Sequence, residues 1–402
     1  MSINKDNIMI SNQIVAEILR DWSFWEAAPN LTLTQKREVV LPETLHPDLA
    51  LVIQGVRRGG KSTLLTQFPK HYHLARNQCY YCNFEDPRLL ANLDYQLLSQ
   101  IITLARQTIP EDKPCYFFFD EIQHVEGWEK WLHVQLERPK QNYFIITGSN
   151  SSLLNGKFAT ALTGRHITLE LFPFSLSEFM ALFPKKGLED YIALGGFPRV
   201  LSFEKPYQLL QEYFNDIILR DVLKQVHART PDSIKQVVKM TYETCGAELS
   251  FRKIAAVTGL TVDTVKSYLT ACENVYLLFS CPYFSFSEKK RLVRQKKYYP
   301  IDPGLRRAVV STGSKDLGKG LELLVFLKLK KTYQQVFYWQ EIHQGEVDFV
   351  VLEGQKITPY QVSWEECEPR HERALHYFYE SFPQASEAVF INRHNAAEFL
   401  NV

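Results

Sequence analysis

The sequence lacks an uninterrupted apolar run of the roughly eighteen residues that a membrane-spanning helix needs. Its start also lacks the basic segment and continuous apolar stretch of a secretory signal, because Lys5 and Asp6 precede a short amphipathic stretch over 14–25. We therefore predict a cytoplasmic protein that does not contact a membrane.

The sequence also lacks an excess of either charge, since it has 46 Lys and Arg residues and 45 Asp and Glu residues. No global field favours nucleic acid, so such a partner must be recognised by a local patch. The seven cysteines are odd in number and lie mostly in apolar runs, which predicts reduced core thiols and not disulfides. Cys79 and Cys82 have the C-x-x-C spacing of metal ligands, but no second pair completes four ligands.

The chain is too long, at 402 residues, for one ordinary domain. Its composition of 45% hydrophobic and 23% charged residues is that of folded globular proteins. Several domains, each with its own core, are therefore expected.

The strongest motif follows an apolar strand over 49–54 and reads G-V-R-R-G-G-K-S-T. Glycines let backbone N–H groups face phosphate oxygens, and the following helix adds its positive N-terminus. Lys61 would reach the outer phosphates, and Ser62 would offer its hydroxyl to Mg²⁺. A plain glycine-rich turn would explain the glycines but neither of these two residues. The predicted ATP-binding residues are Gly55, Arg58, Gly59, Gly60, Lys61, Ser62 and Thr63.

A second apolar strand, over 115–119, ends in Asp120 and Glu121. Ligands of open parallel sheets bind at the carboxyl ends of the strands. We predict that Asp120 holds Mg²⁺, directly or through water, and that Glu121 orients and polarises the attacking water. The alternative is a solvated acidic turn.

Two further residues are predicted near the phosphates. Ser149, after a third strand over 142–146, is the predicted γ-phosphate sensor, with Asn150 as second choice; either could instead cap a helix starting near Ser151. Arg165 precedes a fourth strand and would add positive charge to the transferred phosphoryl group, from the same chain or a neighbour in a homo-oligomer. A surface ion pair is the alternative for Arg165.

These motifs, taken in order, resemble a known family of prokaryotic AAA+-like ATPases with an AAA_14-type ATPase domain and a C-terminal DUF4143 domain of the restriction-endonuclease-like class. The resemblance also rests on N-F-E-D-P-R, F-F-D-E-I-Q, T-G-S-N-S-S-L-L, L-T-G-R, P-F-S-L-S-E-F, G-G-F-P, R-D-V and E-V-D-F-V.

The resemblance implies an α/β protein built on a P-loop NTPase parallel sheet. It implies an ATPase domain over 1–174, a helical lid over 175–235, a winged-helix segment over 236–290 and a restriction-endonuclease-like α/β domain over 291–402. Pro198, in G-G-F-P, would abut the nucleotide. A Gly-Gly-x-Pro turn between helices explains the same residues without a ligand.

The segment 250–269 has the pattern of a helix-turn-helix. Ser250 and Thr261 are N-caps, Gly259 marks the turn, and a buried stripe runs along both helices. The basic run 288–299 follows and would contact phosphates as a wing or strand pair, so that DNA would bind through 250–299. A solvated face is the alternative for this run. The exposed base-reading residues would be Thr261, Asp263, Thr264, Lys266 and Ser267.

The C-terminal segment resembles a nuclease core in Glu322 and Asp348 but departs from it afterwards. Gln361 stands in place of a second acid, and Ser363 in place of the lysine that aligns water. A degenerate domain is therefore expected, whose acids bind a metal or pair with Lys328, Lys330 or His343.

Three functions remain open. The first is an ATP-driven switch or motor acting on DNA. The second is a regulatory ATPase whose C-terminal half binds a protein partner. The third, an ATP-dependent nuclease, is weakened by Gln361 and Ser363.

Overall fold

The computed structural model consists of two compact units, each described here by itself. The first unit spans residues 1–55 and 60–171, and the second spans 56–59 and 172–402. Within the described part of the chain, no helix combines the length and apolar character needed to cross a membrane. The finer division at 174, 235 and 290 stays a prediction. The structure describes residues 10–23, 36–138, 140–149, 164–226, 230–310 and 316–401.

A five-stranded parallel sheet forms the centre of the first unit. Its strands lie in the order β2-β3-β4-β1-β5, and every neighbouring pair is parallel. The middle strands are buried on both faces, which explains their continuous apolar sequences. The prediction of an α/β protein with a parallel sheet is confirmed. The strands are β1 (Ala50–Gln54), β2 (Cys79–Asn83), β3 (Cys115–Asp120), β4 (Asn142–Gly148) and β5 (His166–Glu170).

Helices in the first unit bury one apolar stripe each. The third of them begins after the N-cap Asp94 and buries residues at helical spacing, such as Leu97, Leu98 and Ile101. The helices are α1 (Asn12–Asp21), α2 (Lys61–His71), α3 (Tyr95–Arg106) and α4 (Trp128–Glu137), and the short 3₁₀ turns are Arg76–Gln78, Pro87–Leu89 and Ile122–His124.

Of the helices in the described residues, most lie in the second unit. Its α-helices are α5 (Leu176–Leu182), α6 (Leu188–Leu194), α7 (Pro206–Ile217), α8 (Pro231–Glu243), α9 (Phe251–Thr258), α10 (Val262–Asn274), α11 (Glu288–Val293), α12 (Pro303–Val309), α13 (Leu317–Thr332), α14 (Pro369–Ser381) and α15 (Ala396–Asn401). A 3₁₀ helix covers Pro198–Ser202, and a π-helical turn covers Ile218–Val222.

Two small sheets complete this unit. One is an antiparallel pair of β6 (Leu278–Cys281) and β7 (Lys297–Pro300). The other has the order β11-β10-β9-β8, in which β10 and β11 are parallel and the other neighbours antiparallel. Its strands are β8 (Val336–Glu341), β9 (Gly345–Glu353), β10 (Lys356–Val362) and β11 (Val389–Ile391).

The predicted pair of helices at 250–269 is present. The side chains of Ser250 and Thr261 accept hydrogen bonds from backbone N–H groups three residues on, and Gly259 ends α9 in the left-handed region. Val265 and Leu269 are buried on α10, whereas Val262 is only half-buried. Of the predicted base-reading residues, Thr264 is half-buried and the others are exposed.

The basic run 288–299 was expected to contact phosphates as a wing or a strand pair, and its last part does pair as a strand. It folds as α11 followed by β7, and β7 is buried because it pairs with β6. Lys297 and the two tyrosines after it are therefore inaccessible to phosphates. The lysines of this run that remain exposed are Lys289, Lys290 and Lys296.

Six of the seven cysteines are buried as free thiols, as predicted. Cys367 is exposed instead, because it lies in the segment between β10 and α14. Cys79 and Cys82 are core residues of β2.

Candidate nucleotide site

The glycine-rich loop joins β1 to α2, as its sequence predicts. Gly55 permits a close approach: a Cβ atom there would lie 2.1 Å from the backbone oxygen of Leu171. Helix α2 begins at Lys61, directly after Gly60. The first turn of this helix thus carries Lys61, Ser62 and Thr63, and its backbone N–H groups lie at the loop.

Lys61 is almost fully buried. Its ammonium group donates to the backbone oxygen of Gly55 at 3.0 Å and lies 3.7 Å from Oε1 of Glu121. The structure therefore brings the predicted phosphate-binding lysine and the predicted catalytic acid together.

Asp120 ends β3 without any exposed surface. The Tyr81 hydroxyl donates to its Oδ2 at 2.5 Å, and the Thr147 hydroxyl donates to its Oδ1. Burial raises the pKa of Asp120, and the charge of Glu121 raises it further, whereas hydroxyl donors including Ser62 lower it. Ser62 and Asp120, the two predicted magnesium ligands, are thus in hydrogen-bond contact.

Glu121 follows in the left-handed region, at a φ of 56°. Its backbone N–H donates to the Thr147 hydroxyl at 3.0 Å, and the Gln123 amide donates to its Oε2. This geometry aims the side chain at Lys61 and not along the strand. The Oε1 atom of Gln123 is buried and has no hydrogen-bond partner within the described residues.

Ser149 is buried and lies near this group, since the Gln123 amide donates to its Oγ at 3.5 Å. Its role as a sensor stays a prediction. Asn150 and the turn near Ser151 lie outside the described residues. Arg165 pairs with Glu137 at 3.5 Å and is partly exposed, which is the geometry of the surface ion pair.

The donor set of this site fits Mg-ATP. A buried ammonium group and the N-terminus of α2 suit phosphate, and an adjoining hydroxyl and carboxylate supply the oxygen ligands that Mg²⁺ prefers. The orphaned Gln123 oxygen beside Glu121 suits a hydrogen bond from water.

Residues 56–59 of the loop belong to the second unit, and two arginines among them contact other residues of that unit. Arg57 forms a bidentate pair with Asp221 at 2.9 and 3.1 Å, and both side chains are nearly buried. Arg58 is exposed and lies 3.8 Å from Asp216 and over the ring of Tyr213. The pair with Arg57 gives Asp221 of the R-D-V motif a structural role. ATP contact by Arg58 stays a prediction.

The G-G-F-P motif has a packing role in the second unit. A Cβ atom at Gly195 would lie 2.1 Å from Oδ1 of Asp302, and the backbone N–H of Gly196 donates to Oδ2 at 2.6 Å. Pro198 begins the 3₁₀ helix and is half-buried. These contacts account for both glycines without a ligand, and the contact of Pro198 with nucleotide stays a prediction.

The C-terminal acids form a cluster around a lysine that the sequence did not indicate. Lys297 contacts Glu346 and lies 3.8 Å from Glu322, whereas Lys328, Lys330 and His343 were the expected partners. Asp348 accepts from the Gln361 amide and from the backbone N–H of residue 362, both at 2.7 Å. Among the residues described, no three His, Cys, Asp or Glu side chains are arranged to hold a metal ion.

Sequence patterns missed three residues of the nucleotide site. Tyr81 is one of two adjacent tyrosines on its strand, so only the pairing of β2 with β3 distinguishes it. Thr147 and Gln123 lay within quoted motifs, T-G-S-N and D-E-I-Q, but a polar residue near a strand end does not by itself reveal its partner.

Family models match the chain in three consecutive parts. An AAA domain matches residues 48–180, a domain of unknown function (DUF8612) matches 185–316, and another (DUF4143) matches 317–401. The predicted AAA-type ATPase domain and DUF4143 domain are confirmed.

Solved structures with some similarity include Cdc6p from Pyrobaculum aerophilum, PCH-2 from C. elegans, and Drosophila ORC bound to GC-rich DNA and Cdc6. Their identities are 9%, 13% and 12%, and their TM-scores 0.28, 0.25 and 0.22. The matches cover 57%, 65% and 76% of this chain and 80%, 66% and 98% of those chains.

Two curated relatives match most of the chain. An uncharacterised protein from Haemophilus influenzae is 30% identical over 81% of this chain and 85% of its own length. An uncharacterised protein from Methanocaldococcus jannaschii is 32% identical over 86% of this chain and 82% of its own length. The chain therefore belongs to the family of these two proteins, and it carries an AAA-type ATPase domain followed by DUF8612 and DUF4143.

Proposed function

We propose that this protein binds and hydrolyses Mg-ATP with Lys61, Ser62, Asp120 and Glu121, and that the nucleotide state switches an activity on DNA. The observation that carries the first part is the convergence of the Lys61 ammonium on Glu121 at 3.7 Å, beside a buried Asp120. An AAA domain over residues 48–180 supports the same assignment.

Each residue has a separate task. Lys61 neutralises the outer phosphates, and the N–H groups at the start of α2 hold their oxygens. Ser62 and Asp120 hold the metal, which neutralises phosphate charge when bound. Glu121 leaves Lys61 for a water molecule once the ammonium group engages phosphate, and it then accepts the water's proton.

Substituting the two central residues separates these tasks. Lys61→Ala should abolish ATP binding, because the buried ammonium is lost. Glu121→Gln should keep binding but slow hydrolysis about 100-fold or more, because an amide is not a base. Equilibrium binding of a fluorescent ATP analogue and single-turnover phosphate release measure the two effects.

Lys70→Ala is the matched control, since Lys70 is an exposed lysine near the end of the same helix. It should leave binding and turnover unchanged. An equal loss of ATP binding in the Lys61 and Glu121 variants would contradict the assigned roles.

The proposal of DNA as partner rests on residues 250–299. Helix α10 exposes Lys266, and its N-cap Thr261 is exposed too, as in the second helix of a helix-turn-helix. The pair β6 and β7 follows this helix in a winged-helix order. Lys289, Lys290 and Lys296 are exposed nearby in sequence and offer charge to phosphates.

A protein partner is the second candidate because the same segment exposes large apolar side chains. Phe286, Leu292 and Val293 are 61%, 79% and 78% exposed. Such side chains are typical of protein contacts and not of phosphate contacts. Binding that is insensitive to salt would favour this candidate over DNA.

A nuclease is not favoured. The Oδ2 atom of Asp348 already accepts two protein hydrogen bonds, and the neighbouring acids face Lys297.

A further inference from the structure

Tyr81 connects the apolar core of the first unit to the end of strand β3. Its ring is buried among core residues such as Phe68 and Phe118 and lies 6.1 Å from the ring of Trp22. Strand β2 pairs in parallel with β3, with Tyr81 opposite Phe118 and Asn83 opposite Asp120. This register places the tyrosine two residues before the acid, which is the distance that the long side chain spans.

The hydroxyl groups of Tyr81 and Thr147 hold the two oxygens of Asp120 from opposite neighbours. Tyr81 on β2 donates to Oδ2 at 2.5 Å, and Thr147 on β4 donates to Oδ1. Strands β2 and β4 flank β3 on its two sides. The plane of the carboxylate is therefore set by two donors, which we call the hydroxyl clamp.

The hydroxyl clamp leaves Asp120 able to coordinate a metal ion, directly or through water. Each carboxylate oxygen has two lone pairs, and the clamp uses one on each. The second lone pair remains for Ser62, for a metal ion or for water bound to it. Because Asp120 has no exposed surface, bulk water cannot replace a donor that is removed.

We propose that Tyr81 is a positioning residue for Asp120, which it holds in the orientation that binds Mg²⁺ together with ATP. The proposal rests on the function proposed above, in which Asp120 serves the metal. Tyr81 acts through the carboxylate of Asp120, and its hydroxyl also forms a hydrogen bond with Ser62. Outer partners of this kind typically change metal affinity about 10-fold or more when they are removed.

Tyr81→Phe tests the proposal, since it keeps the ring in the core and removes only the hydroxyl. The Mg²⁺ concentration for half-maximal ATP turnover should rise about 10-fold. Mn²⁺ binding to the ATP-bound protein, measured by electron paramagnetic resonance, should weaken by a similar factor. ATP binding in EDTA should not change, because Lys61 and the loop are intact.

Tyr80→Phe is the matched control on the same strand. Its hydroxyl contacts Thr108 at 2.9 Å, so its removal should change neither the Mg²⁺ requirement nor Mn²⁺ binding. An unchanged requirement in Tyr81→Phe overturns the proposal. A lower requirement overturns it as well, because the hydroxyl would then compete with the ion.

A second variant tests the same proposal in case the first one does not fold. If Tyr81→Phe unfolds at assay temperature, Thr147→Val removes the other half of the clamp and should raise the Mg²⁺ requirement in the same direction. No change there overturns the proposal. Failure of the proposed function is distinct, since it shows as ATP binding that survives Lys61→Ala.

Discussion

At the scale of single residues, Lys297 is unusual because it is a fully buried charge. Its side chain has no exposed surface, and it contacts Glu346 and approaches Glu322 to 3.8 Å. Burial alone would lower the pKa of Lys297, but the charges of Glu322, Glu346 and Asp348 outweigh it and raise the pKa. The charged side chain of Lys297 therefore offsets the negative charge of these three acids.

Removing this cation should destabilise the second unit. Lys297→Met keeps the length of the side chain but leaves the clustered carboxylates without their buried cation, a change that typically costs about 3–5 kcal/mol. Urea unfolding of the full chain at neutral pH measures the loss.

Lys296→Met is the control, because this neighbour is exposed and should change stability by less than about 0.5 kcal/mol. Equal stability of the two variants would mean that protons, and not Lys297, neutralise the acids.

At the scale of elements, Asp302 joins helix α12 to the Gly195–Gly196 turn. Its carboxylate caps the helix by accepting from the Leu305 N–H at 2.7 Å, and it also accepts from Gly196 at 2.6 Å. Burial raises the pKa of Asp302 to about 6, although the backbone N–H bonds lower it.

This shift predicts a pH dependence of stability. In the unfolded chain Asp302 loses its proton near pH 4, whereas in the folded protein it keeps the proton up to about pH 6. The folded state binds more protons between these values, so Asp302 lowers stability as pH rises through this window. Between pH 4 and 7 the wild type should lose about 2 kcal/mol more than Asp302→Asn, whose amide does not titrate.

Urea unfolding of both proteins at pH 4, 5, 6 and 7 measures this difference. Parallel stability profiles would show that the backbone donors Gly196, Gly304 and Leu305 fully offset burial and that the carboxylate is charged throughout.

At the scale of the whole molecule, the proposed ATP site lies in the first unit, and exposed lysines lie in the second. Lys289, Lys290 and Lys296 belong to a segment with few other free charges: Arg291 donates to the backbone of Ser285, and Arg294 pairs with Glu341. We therefore expect the salt dependence of DNA binding to come from Lys289, Lys290 and Lys296.

The triple variant Lys289→Glu, Lys290→Glu and Lys296→Glu should bind duplex DNA more weakly. The slope of log affinity against log salt should fall by roughly three, one for each lost phosphate contact. Basal ATP turnover should be unchanged. Fluorescence anisotropy between 50 and 200 mM salt and phosphate release with and without DNA measure both effects.

A control with the same charge change is Lys70→Glu, Lys113→Glu and Lys185→Glu, since these three lysines are also exposed. Equal weakening by both triple variants would assign the effect to net charge, and no weakening by the first would remove DNA as the partner.

Local patterns were sufficient for much of the nucleotide site. A strand, a glycine loop and a helix, and then a strand ending in two acids, are spaced along the chain as they are used. The helices at 251–274 also follow from caps and an apolar stripe. The patterns failed where burial depends on a distant strand, as for Lys297, which reads as one more charge in a basic run.

The sequence by itself determined the glycine-rich loop between a strand and a helix, and the position of Asp120 and Glu121 at the end of an apolar strand, because neighbouring residues set backbone geometry and burial of short segments. Only the tertiary structure decided which side chains meet across strands and helices. The hydroxyl of Tyr81 reaches Asp120 from 39 residues away, and Arg57 finds Asp221 across 164 residues. Such contacts follow from strand order and packing, which no local spacing encodes.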